Sequence, residues 1–130
     1  MKGLKVALII YAAIGILQGL IIIFAPEQGG AMLGYAKGPA YVHNFLALLG
    51  LHMIVGGAFL IVAARDPIQN ILWVQYAIAL AILMVAGNVY SIMRGFVTFN
   101  QAVMGIIIDG VFAMAFLALY PYRAAKNSPT

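Results

Sequence analysis

VALIIYAAIGILQGLIIIF occupies residues 6–24 and holds no charged side chain. As a helix with a rise of about 1.5 Å per residue it would be about 28 Å long, close to the ~30 Å hydrocarbon thickness of a bilayer. Pro26 follows, and a proline disfavours helical geometry in the residue before it, so the helix is expected to close there. Ahead of the stretch, Met1-Lys2-Gly3-Leu4-Lys5 has the charge pattern of a secretory leader. The apolar run exceeds the usual ~7–15 residues of a leader and lacks a small-x-small cleavage site before a polar stretch. It therefore reads as a retained helix.

Three more apolar runs follow. Asn44 to Ala64 ends at Arg65-Asp66-Pro67, Ile71 to Met93 ends at Arg94-Gly95, and Ala102 to Tyr120 ends at Pro121-Tyr122-Arg123. The predicted spans lie at about 4–25, 44–64, 70–93 and 102–120, with an external loop over 26–43 and a mobile tail over 124–130. Within that loop, Ala31 to Ala36 is expected to form a turn of helix at the interface, or else a loose loop or a lid. Residues 1–130 thus read as one all-α domain, an integral membrane four-helix bundle.

Composition narrows the class in the same direction. The chain is 65% apolar and 8% charged, against about 45–50% and 25% in soluble domains, so it cannot cover a water-facing surface. A soluble enzyme, a nucleic-acid module and a disordered tail are excluded. The absence of cysteine excludes disulfide scaffolds and thiolate metal sites. The net charge of +4 is too scattered for a nucleic-acid partner and sits at the ends of the apolar runs. Lys2, Lys5, Arg65, Arg123 and Lys126 would face one side, and Lys37 and Arg94 the other. The positive-inside bias then places both termini in the cytoplasm.

Each span carries one strongly polar residue: Gln18, His52, Asn88 and Asp109. Counted inward from the predicted outer ends, all four fall about 9–12 Å deep. Polar side chains are costly in hydrocarbon, so each asks for a partner. Helical periodicity puts them on faces rich in small residues, among them Gly15, Gly56 and Gly105, and Gly15 and Gly19 form a GxxxG pair that favours close helix packing. The four are expected to converge, with His52 as the natural partner of Asp109. Such a cluster reads as polar glue between helices, as the anchors of an outward-facing ligand pocket, or as part of a proton or ion pathway.

Other chemistry finds little support. His43 and His52 lie nine residues apart on one helix, about 13.5 Å along its axis, and cannot clasp a haem from two sides within one chain. His43, His52 and Asp109 are too few for a closed metal site. No nucleophile–base pattern or phosphate loop is visible. No metal, no cofactor and no catalytic residue is assigned, and whether the chain is an enzyme stays open.

In layout the chain resembles the DoxX-like group of small bacterial four-helix inner-membrane proteins. The features that carry the likeness are Phe24-Ala25-Pro26, Ala31-Met32-Leu33-Gly34-Tyr35, the stretch from Gly50 to Gly57, and Gly87-Asn88 through Arg94-Gly95. The resemblance implies a multi-pass protein of the bacterial inner (cytoplasmic) membrane and a bundle fold, and some members partner redox enzymes. It implies no reaction. Two functions are expected from the whole reading. One is a non-catalytic subunit or accessory partner of a larger membrane complex, associating with other membrane subunits or with itself. The other is a binder, carrier or enzyme for a small lipophilic molecule (a quinone, lipid or aromatic compound) in an outward-facing pocket at His52 and Asp109.

Overall fold

The computed structural model describes residues 1–32 and 40–122 and contains five helices: α1 Lys2–Phe24, α2 Pro26–Met32, α3 Ala40–Arg65, α4 Ile71–Met93 and α5 Phe99–Leu119. Four of them, all but α2, are long and apolar enough to cross a membrane. The expected tail over 124–130 and the 33–39 part of the expected external loop lie outside the described residues.

The helix ends follow local chemistry. Ala25, before Pro26, leaves helical geometry at φ −138° and ψ 64°, and Pro26 then opens α2, where its missing N–H costs nothing. The loop after the first span is thus partly a short helix, which begins earlier than the predicted turn at Ala31. Between α3 and α4, Asp66 Oδ1 accepts from the backbone N–H groups of Ile68 (3.1 Å) and Gln69 (3.2 Å), and the Asn70 amide donates to the Asp66 carbonyl. Asp66 therefore builds the turn and is more than a solvated charge. At the far end of α4, Gly95 adopts φ +70°, its N–H bonds to the Ile92 carbonyl, and the Phe96 N–H bonds to that of Ser91. This pair of bonds is a Schellman motif, and the Phe96 ring packs back on Tyr90. Helix α5 starts at Phe99, three residues before the predicted span, because Thr98 and Gln101 form a capping box.

The four long helices run up and down. Lys5 Nζ donates to the Arg65 carbonyl at 2.7 Å, so the start of α1 meets the end of α3. Gln75 Nε2 donates to the Tyr120 hydroxyl at 2.7 Å, so the start of α4 meets the end of α5. Gly3 lies against Leu119, which brings both pairs to the same end of the bundle. Lys2, Lys5 and Arg65 thus share one end, while Arg94 lies at the other.

Helix contacts divide the bundle into two antiparallel pairs. The α1–α3 pair is the most extensive and α4–α5 the next, whereas α1 meets α5, and α3 meets α4, much more sparsely. Glycine sets the first pairing. A β-carbon on Gly19 would lie 2.6 Å from the Gly50 carbonyl oxygen, and one on Gly50 would lie 2.7 Å from that of Gly19. A β-carbon on Gly57 would lie 3.0 Å from the Ala12 carbonyl oxygen. No side chain fits at these crossings. Of the glycines expected to serve packing, Gly19 sits at the tight crossing, whereas Gly15 has only ordinary contact with α3. Gly56 and Gly105 face the side chains of Tyr76 and Asn88. Gly50 and Gly57 complete the crossing. The apolar core lies toward the basic end and is built on Leu4, Leu8, Leu60, Val74, Ala77 and Phe116.

Gly19→Val and Gly50→Val are expected to destabilise the bundle by about 1–3 kcal/mol, the usual cost of overpacking. Gly87→Ala and Gly110→Ala, whose β-carbons would meet nothing within 4 Å, should be neutral or slightly stabilising. Thermal unfolding of the four variants in one detergent checks the contrast.

Candidate functional site

Asp109 is the one charged-type side chain in the buried interior of the described residues, 9% exposed. Its position in α5 puts Phe112, Ala113 and Phe116 on the same helical face, one and two turns toward the basic end. The carboxyl is met from α1. The Tyr11 hydroxyl donates to Asp109 Oδ1 at 2.8 Å. Tyr11 is as buried as Asp109, and its ring contacts Phe112 at 4.8 Å and the edge of Phe116 at 5.5 Å between centroids. A phenol suits this place: its apolar ring joins the core while its hydroxyl reaches across to another helix.

His52, the expected partner of Asp109, bonds elsewhere. Its Nε2 lies 3.4 Å from the Tyr76 hydroxyl of α4. Below it Trp73 stands edge-on to Tyr76 and stacks on Phe59 at 4.3 Å, nearly parallel. Gly56 leaves room for Tyr76, since a β-carbon there would already sit 3.4 Å from the phenolic oxygen. The sparse α3–α4 contact thus includes an aromatic cluster beside the aliphatic core. The imidazole itself is exposed, and among the described residues no hydrogen bond engages its Nδ1.

The remaining two predicted residues serve their own neighbourhoods. Asn88 donates its amide to the Met84 carbonyl of its own helix at 2.9 Å and packs against Gly105. This back-bond satisfies an amide without a partner helix. Gln18 is half-buried and, with Ile21, Ile22, Gly29 and Met32, lines a small pocket between α1 and α2. Gln18, His52, Asn88 and Asp109 are therefore not joined in one hydrogen-bonded cluster. Two tyrosines take the places of the two amides. Tyr76 packs on the apolar cluster to which Tyr11 belongs. Each long helix still contributes one polar group, as Tyr11, His52, Tyr76 and Asp109, but in two pairs.

Tyr11 was within reach of sequence reasoning. It shares the α1 face of Gly15 and Gln18, but tyrosine carries little polarity penalty and gives only a weak signal in an apolar run. Chemically the arrangement offers hydrogen bonding: one pair within the core, and one pair at the flank with a ring nitrogen still open. Among the described residues no three His, Asp or Glu side chains gather where they could hold a metal ion. Compared with protein families, curated proteins and solved structures, the chain matches none of them.

Tyr11→Phe removes the donor while keeping the ring, and is expected to destabilise the protein by about 1–3 kcal/mol. Asp109→Asn keeps an oxygen that accepts from Tyr11, so it should cost less and leave the fold intact. The double variant Tyr11→Phe with Asp109→Leu should cost clearly less than the sum of Tyr11→Phe alone and Asp109→Leu alone. Unfolding in mixed micelles measures the cycle. Additive costs would show that the two side chains do not interact.

Proposed function

We propose that the chain is a multi-pass protein of the bacterial inner membrane, with both termini in the cytoplasm, that works as a non-catalytic accessory subunit of a membrane assembly. The observation that carries this reading is the contrast between interior and flank. The interior carboxyl is engaged within the chain, Oδ1 accepting from Tyr11. The His52 imidazole, in contrast, stands exposed in an apolar helix flank with one ring nitrogen open. In hydrocarbon an unsatisfied polar group is costly, so that flank calls for a covering surface that can hydrogen-bond. A polar group engaged inside and another left open at the helix flank fit an assembly partner.

Topology is supported by the grouping of Lys2, Lys5 and Arg65 at one end with Arg94 opposite, as the positive-inside bias requires. At the basic end Lys5 also caps the α3 carbonyls, where a cation complements the helix dipole. The layout-level likeness to the DoxX-like group agrees with such a placement. A second reading, a small lipophilic molecule held at the same flank, is favoured by the Tyr76 hydroxyl beside the imidazole and by the flat Phe59–Trp73 stack. Its polar anchors would be His52 and Tyr76, with Asp109 engaged in the core.

Cysteines introduced at Lys2 and at Arg94 are expected to react with a membrane-impermeant thiol reagent from opposite faces, Lys2→Cys only from the cytoplasmic side. The 130-residue chain has no cysteine to interfere. Native mass spectrometry after mild extraction should then show the chain bound to protein. A monomer carrying a small molecule would favour the second reading, and a bare monomer would oppose both.

A further inference from the structure

On α3, exposed residues recur with heptad spacing. Phe45, Leu48, His52, Val55, Phe59 and Val62 are separated alternately by three and four residues; all six are exposed, within a broader exposed face that also holds Leu51, Ala58 and Ile61, and His52 and Phe59 also touch α4. The alternation is the a/d spacing by which two helices pack along a left-handed seam. Phe45, His52 and Phe59 take one set of positions, and Leu48, Val55 and Val62 the other. The only polar member, His52, falls in the middle.

We infer that this seam binds a second copy of the chain, α3 against α3, in a two-fold dimer whose axis runs along the membrane normal; the inference rests on the membrane placement proposed above. Two copies inserted with the same topology present α3 in parallel. In a parallel two-stranded seam each a position faces its own equivalent, so His52 meets His52 of the partner subunit. An imidazole is its own complement: in one copy Nδ1 donates, in the other it accepts. Each Tyr76 hydroxyl supports this, because it can donate to Nε2 in one copy and accept from it in the other. The open ring nitrogen on each flank is thereby satisfied without any further chemistry. A single polar pair at the centre of an apolar seam also fixes register, since sliding by one heptad would face each imidazole with phenylalanine.

Another exposed flank lacks this property. On α4, Leu72, Gln75, Ala79, Ile82, Ala86, Val89 and Met93 are exposed with the same alternating spacing. Its polar member, Gln75, lies in the first turns and already donates to Tyr120. Lipid chains can cover that face without leaving the amide nitrogen unpartnered.

The test uses the full chain, purified alone and reconstituted into phosphatidylethanolamine–phosphatidylglycerol vesicles. Single cysteines go at Leu48, Val55 and Val62 on the seam and at Ile82 and Val89 on α4, followed by mild oxidation. Disulfide-linked dimers are expected from the three seam positions and not from the two on α4. Förster transfer between labelled copies should show dimerisation weakened about tenfold by His52→Leu and largely kept by His52→Asn. Absence of seam crosslinks, equal crosslinking from α4, or an unchanged constant for His52→Leu would each overturn the inference. Opposite-face labelling of Lys2→Cys and Arg94→Cys in the same vesicles separates the two failures. If that labelling fails, the membrane placement falls. If it succeeds without seam crosslinks, the dimer falls and the placement stands.

Discussion

The hydrogen bond from Tyr11 to Asp109 is the interaction on which the arrangement of the helices depends. Helix α1 is joined to α3 through interlocked glycine backbones, and α4 to α5 through a long antiparallel contact, but the two pairs touch sparsely. Across that junction lies one apolar cluster drawn from all four long helices, and within it the phenol–carboxyl bond is the one buried polar link. Apolar surface alone is a poor guide to helix placement in lipid, because chain–chain and chain–lipid contacts are equally apolar. A buried carboxyl has no such indifference. It is stable only where a donor meets it, and Tyr11 is the donor within reach, so the pair sets how the two halves face each other.

The same reasoning separates what the inside and the outside of the bundle do. At Gly19, Gly50 and Gly57 the backbone approach is close enough to exclude any side chain, which makes α1–α3 a rigid unit. Helix α4 is far less buried, and past Ala81 none of its residues is buried. The flank formed by α3 and α4 is held by aromatic contacts and by the Tyr76–His52 pair. A rigid pair bearing an exposed imidazole on its outer edge is suited to presenting that edge to another surface.

Much of this was legible in the sequence. The four apolar runs, the stop at Pro26, the turn at Arg65-Asp66-Pro67 and the stop at Arg94-Gly95 are all local signals, and local chemistry decides them. Asp109 also announced itself, since a carboxyl within an apolar run must find a partner. Its partner did not. The common depth of Gln18, His52, Asn88 and Asp109 rested on helix ends taken as level, and they are not. Measured along the observed helices, His52 lies about 18 Å from Ala40 and Asp109 about 15 Å from Phe99, whereas Asn88 lies about 7.5 Å from Met93. Gln18 is seven residues beyond Tyr11, about 10.5 Å farther along α1. The capping box at Thr98 and the early start of α3 shift the helix ends, and tyrosine, polar only at its tip, does not stand out in an apolar run.

The most direct measurement is electron–electron distance spectroscopy in lipid, with spin labels on α1 and α5 in one sample and on α1 and α3 in another. In Tyr11→Phe the α1–α5 distance distribution should broaden and shift, while the α1–α3 distribution stays narrow. If both distributions are unchanged, the two helix pairs are held together by something other than the Tyr11–Asp109 bond.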